Sequence, residues 1–115
     1  MEKLLEVSGK QVPFKATAAT PRIYRARYGR DIFGDLQKLR EAVAKGKMLD
    51  LKLADCFLDI AYTMAKQADP GIPEDADEWL DQFDMLPMYE ILPELILLWG
   101  VSEQTTSELK KKAKA

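Results

Sequence analysis

Between Met88 and Trp99 the chain carries nine large apolar side chains in twelve positions: Met88, Tyr89, Ile91, Leu92, Leu95, Ile96, Leu97, Leu98 and Trp99. Wound into a helix they point in nearly every direction, and only Glu90 and Glu94 mark a polar strip. A helix that is apolar all round has to be enclosed, and 115 residues supply little protein to enclose one. Either the segment is the core of a bundle or part of it faces another chain. The second is the expectation, because each large side chain left in water forfeits roughly 1.5–3 kcal/mol. Pro93 is expected to kink the helix and free a carbonyl near Tyr89. The run from Ile91 to Trp99 is interrupted by Pro93 and Glu94 and falls far short of the ~20 residues that cross a bilayer.

The rest of the chain reads as a mainly α fold. A bundle of about four to five helices follows a short N-terminal β-hairpin. Leu5, Val7, Val12 and Phe14 lie in two short segments within 3–16, around the turn Ser8-Gly9-Lys10. Thr20-Pro21 starts a helix with a capping hydroxyl and a first-turn proline, and Gly29 after Tyr28 ends it. Ile32, Leu36, Leu39 and Val43 form one stripe of a second helix from Asp31 to Lys45, with Gly46 as its stop. The third helix, Asp50 to about Ala68, keeps Lys52, Asp55, Asp59, Thr63 and Lys66 on one side. Its apolar arc covers more than half the circumference, so it is expected to be central. Pro70-Gly71-Ile72-Pro73 is a turn. Glu74–Phe83 is read as a short acidic helix with Trp79, Leu80 and Phe83 inward, and Pro87 as opening a last helix from Met88 to Trp99, stopped by Gly100. Residues 1–100 thus make one domain, and 101–115 a polar, Lys-ending, flexible tail.

The missing chemistry excludes much. There is no histidine and one cysteine, Cys56, which removes the commonest general base and the usual zinc sites. Cys56, placed at the polar edge of the third helix, is read as an incidental thiol. Six glycines stand singly at element ends and form no phosphate loop. The spacing Asp75-x-Asp77-Glu78 does not fit a calcium loop. An enzyme is not expected, nor a metal, nor a cofactor. The first residues lack the apolar core of a signal peptide, and a lone cysteine makes no internal disulfide, so a cytoplasmic protein is expected.

Charge is unevenly spread. Residues 1–66 hold 13 Lys and Arg against 8 Asp and Glu, residues 67–109 hold none against 11, and the last six residues hold four Lys. Arg22, Arg25, Arg27 and Arg30 alternate with Tyr24 and Tyr28, but on a helix they divide between two sides. A recognition helix gathers its bases on one, so ion pairing with carboxylates, those of the acidic stretch included, is expected in place of nucleic-acid binding. The acidic stretch itself suits a basic surface, a partner's or that of another copy.

The order of residues along the chain carries a resemblance. A hairpin with Gly-Lys at its turn leads to Phe14-Lys15-Ala16-Thr17, then to Thr20-Pro21-Arg22-x-Tyr24-Arg25 and Tyr28-Gly29-Arg30-Asp31-Ile32. Leu58-Asp59-Ile60-Ala61-Tyr62-x-Met64-Ala65 and Asp77-Glu78-Trp79-Leu80-Asp81-x-Phe83 follow. Over roughly residues 3–100 this resembles the tail assembly chaperones of long-tailed phages and prophages of Gram-positive bacteria. The resemblance implies a small helical protein of the host cytoplasm, without catalytic residues, that binds the tape measure protein. It would keep that protein soluble until tail tube subunits assemble around it; the tail tube protein is a second implied partner. The Lys110-Lys111-Lys112 run is compatible with the ribosomal frameshift such families use. A holdase for a helical client needs an apolar groove. Ile91, Leu92, Leu95, Ile96, Leu98 and Trp99, with Tyr62 and Trp79 nearby, are the expected groove or self-association surface. A small DNA-binding regulator using Arg22–Arg30 and a structural tail or connector component are the alternatives.

Overall fold

In a computed structural model the chain is described over residues 1–46 and 50–99. The expected stop at Gly100, the tail at 101–115 and the Lys110-Lys111-Lys112 run lie outside the described residues. The order is β1 (Glu2–Val7), β2 (Lys10–Lys15), α1 (Thr20–Tyr28), α2 (Ile32–Ala44), α3 (Leu51–Ala68), α4 (Ala76–Leu80) and α5 (Met85–Glu90). A further helical run occupies residues 92–99. The expected class, mainly α with an N-terminal hairpin, is what the structure has.

β1 and β2 pair antiparallel, with Leu5 opposite Val12 and Val7 opposite Lys10. The turn is shorter than expected: Ser8 and Gly9 alone make it, both with positive φ (53° and 77°), as a two-residue turn matched to strand twist requires. Leu5, Val7, Val12 and Phe14 alternate onto one face and are all buried. That face rests on α3, which also packs against α1, α2 and α4. α3 is therefore central, and its buried residues run without a gap from Ile60 to Ala65.

Capping fixes the helix ends. Asp31 accepts from Phe33 N (3.1 Å), Asp50 from Leu53 N (2.8 Å) and Asp75 from Asp77 N (3.0 Å). α1 departs from expectation at its start. Ala19 holds the cap position and Thr20 is already helical and buried, because its hydroxyl is used sideways, by Gln67 of α3 and the amide of Thr17. Gly29 adopts φ +70° after Tyr28 and donates to Arg25 O at 2.8 Å. α4 is five residues long, about half the expected span, yet Trp79 is fully buried and Leu80 and Phe83 pack against the core.

The last helix begins three residues before Met88. Pro87 falls in the first turn of α5, where a missing N–H costs nothing. α5 stops at Ile91, and residues 92–99 resume the helix with Pro93 in their own first turn. Pro93 thus divides the segment into two short helices: it has no N–H to return to Tyr89 O, and its ring crowds the preceding turn.

Candidate interaction surface

The eight residues expected to face a partner lie together, but inside. Ile91, Leu92, Leu95, Leu98, Trp99, Tyr62 and Trp79 are all buried in one continuous cluster with α3 and the hairpin, and Ile96 packs half-buried against it. A single copy thus hides most of residues 88–99, contrary to expectation, and leaves Leu97 and Pro93 in water. Pro93 is the physical reason: breaking the segment lets each short helix turn its own apolar side to the core, so a continuous all-apolar rod never has to be enclosed. Aromatic geometry holds the arrangement. Trp79 meets Tyr62, Phe14 and Phe83 edge-on, with ring centroids 5.7, 6.5 and 5.0 Å away. The Tyr62 hydroxyl donates to Pro73 O, and the Arg27 guanidinium lies 4.7 Å above the Tyr62 ring.

Beneath the arginine-rich helix lies a half-buried polar knot. Arg30 donates through Nη2 to Asp59 Oδ2 (2.6 Å) and through Nε to Asp35 Oδ2 (3.1 Å). The Tyr24 hydroxyl donates to the same Asp35 oxygen at 2.6 Å and accepts from Arg30 at 2.9 Å. Burial works against the charge on Asp35, but bonds from Tyr24 and Arg30 outweigh it and hold the carboxyl below its ordinary value. Asp59, with Arg30 as its one strong donor and Asp55 a turn away, is pushed up, mainly by burial. Cys56 sits in the same knot. It is buried there, and both burial and the neighbouring Asp35 charge raise its thiol. Ion pairing thus claims Arg30 as expected, with partners on α2 and α3 instead of the acidic stretch. Arg27 does reach that stretch, donating to Glu74 O at 2.8 Å.

What remains in water on the C-terminal half is a set of apolar side chains outside the expected groove. Met85 and Leu86 are 69% and 71% exposed and Leu97 is 59% exposed. Pro93 is exposed as well, and Tyr89 and Ile96 are half-buried. Met85 and Leu86 belong to the first turn of α5, while Pro93 and Leu97, four residues apart, share one face of the run 92–99. Of the two glutamates between Leu86 and Leu97 in sequence, Glu90 is exposed and Glu94 half-buried. Met85 and Leu86 were missed because the helix was expected to open at Pro87; Asp84 before them is a capping-type residue that marks the earlier start. Leu97 was passed over within a run of apolar neighbours, though it is four residues from Pro93.

Among the described residues no cluster of acidic or cysteine side chains could hold a metal ion, and no helix is long and apolar enough to cross a membrane. No protein-family model, characterised protein or solved structure matches the chain.

Proposed function

We propose that this chain is a tail assembly chaperone of a long-tailed phage or prophage. In the host cytoplasm it would hold the tape measure protein soluble while tail tube subunits assemble around it. The observation that carries the reading is the exposure of Met85, Leu86, Pro93 and Leu97 on the last two helices, in a half of the chain that has no Lys or Arg from 67 to 109. An amphipathic client helix covering Leu86 or Leu97 would gain roughly 1.5–3 kcal/mol for each. Surrounding carboxylates keep the complex in solution and select a client with basic flanks. The order of residues shared with tail assembly chaperones supports the same reading. The seven buried candidates and half-buried Ile96 then act from behind, fixing the shape of the two short helices that carry the exposed side chains.

Co-expression with the tape measure protein of the same genome tests the proposal. The double variant Leu86→Asp, Leu97→Asp is expected to keep its own fold, read by circular dichroism, and to release the client into the insoluble fraction. A client that stays soluble beside the folded double variant removes these side chains from the role. The chaperone should also be absent from finished particles; its retention there favours a structural tail component instead.

A further inference from the structure

The hairpin has one usable edge. Val7 and Lys10 close a two-residue turn and exchange both backbone bonds, so along β1 the residues Lys3, Leu5 and Val7 turn their N–H and C=O toward β2. The same alternation places Met1 O on Ala16 N at 2.8 Å. The N–H and C=O groups of Glu2, Leu4 and Glu6 therefore point away from the sheet, and they make no hydrogen bond among the described residues. On β2 the outward residues are Gln11, Pro13 and Lys15. Pro13 has no N–H to offer, so that edge is blunted in its middle, as edge strands often are. The β1 edge carries no such block.

A groove of about 390 Å³ runs beside this edge, between Lys3, Leu5 and Glu6 on one side and Pro87, Glu90, Ile91 and Glu94 on the other. Its floor is apolar, from Leu5, Ile91 and Pro87. Its rim is acidic: Glu6, Glu90 and Glu94 face one lysine, and Lys3 is already paired with Glu94 at 2.6 Å. We infer that the β1 edge is a docking site for an extended, basic segment of another protein, which adds as a third strand with alternate Lys or Arg side chains toward Glu2 and Glu6. Backbone pairing supplies the affinity, and the acidic rim selects the sequence. A second copy does not fit. Its β1, laid antiparallel with Leu4 opposite Leu4, sets Glu2 against Glu6 on both sides of the axis, and its β2 brings Pro13 to the centre. The inference goes beyond the chaperone reading and does not rest on it, since Met85, Leu86, Pro93 and Leu97 do not line this groove.

Isotope-labelled full-length protein, titrated with a seven-residue capped peptide alternating Lys and Val, tests it. The amides of Glu2, Leu4 and Glu6 are expected to shift and to exchange more slowly with solvent, with affinity falling as salt is raised. The matching Glu-Val peptide is expected to leave them unmoved. Leu4→Pro removes only an outward N–H and leaves every β1–β2 bond in place, so it should weaken binding at least tenfold with Leu5 and Val12 amides still in their folded positions. Glu2→Lys with Glu6→Lys, surface changes that spare the backbone, should weaken it likewise. Equal binding of the two peptides, shifts confined to other parts of the chain, or full affinity in the charge-reversed variant would each overturn the inference.

Discussion

The indole N–H of Trp99 points at the sulfur of Met64, 3.3 Å away, and both side chains are buried. This contact, with the Phe33 ring standing edge-on to Trp99 at 5.7 Å, fastens the end of the chain's described part to the central helix and to α2. The most apolar segment is thereby turned into core and made a structural dependency of everything else.

Trp99→Ala is expected to lower unfolding free energy by about 3–5 kcal/mol, the usual result of emptying a large buried site. Leu97→Ala, two positions away but in water, is expected to change it by no more than about 0.5 kcal/mol. Urea denaturation of the two variants checks both. Similar midpoints would mean that Trp99 is not the anchor its contacts describe.

Arg30 joins α1 to α2 and α3 through Asp35 and Asp59. Replacing it with Met keeps much of the bulk but strands two carboxylates, one of them buried. The loss is expected at about 3 kcal/mol, at the lower end for a broken buried pair because the guanidinium is itself partly exposed. Tyr24→Phe removes one donor from Asp35 and should cost about 1–2 kcal/mol. Because both residues serve the same carboxylate, the double variant should lose less than the two singles together, which a double-mutant cycle measures.

Period and punctuation made most of the fold legible. Alternation at Leu5, Val7, Val12 and Phe14 specified the hairpin, and Asp31, Asp50 and Gly29 marked helix ends that the structure keeps. Burial of Ile91, Leu92 and Leu95 was misjudged for a definite reason. A helical wheel treats 88–99 as one rod, whereas Pro93 allows two rods with different orientations, and the wheel no longer applies across the break. The Arg30 knot was legible only as an excess of arginine: its partners Asp35 and Asp59 lie 5 and 29 residues away, and only the packing of α1, α2 and α3 brings them together. The exposed Met85 and Leu86 needed the correct helix start, which Pro87 concealed by sitting within the first turn and not before it.

Cys56 is expected to be unreactive in the folded protein. Burial and the Asp35 charge both raise its thiol, so little thiolate is present at neutral pH and reagents have no path to it. Alkylation by iodoacetamide at pH 8 should proceed at the rate of global or local opening and accelerate at least a hundredfold in strong denaturant. Fast modification under native conditions would contradict the buried placement.

The response to acid follows from two carboxylates that share one arginine and differ in sign. In the folded protein Asp35 lies below its ordinary 3.8, since bonds from Tyr24 and Arg30 overcome burial, so its charge favours folding above pH 3.8. That stabilisation is lost as the pH falls below 3.8 through the folded value. Asp59 lies above 3.8, chiefly from burial. It takes up its proton earlier in the folded than in the unfolded chain, so its titration on the way down toward 3.8 favours the folded state. Urea midpoints between pH 7 and pH 2.5 should therefore show a shoulder of retained stability before the acid loss. Asp59→Asn should remove the shoulder and keep the loss. Asp35→Asn should instead lower stability at pH 7, by about 1.5–3 kcal/mol for bonds to a charged acceptor, and flatten the decline below 3.8. If Asp35→Asn leaves that decline unchanged, other carboxylates govern acid unfolding and the knot beneath α1 does not.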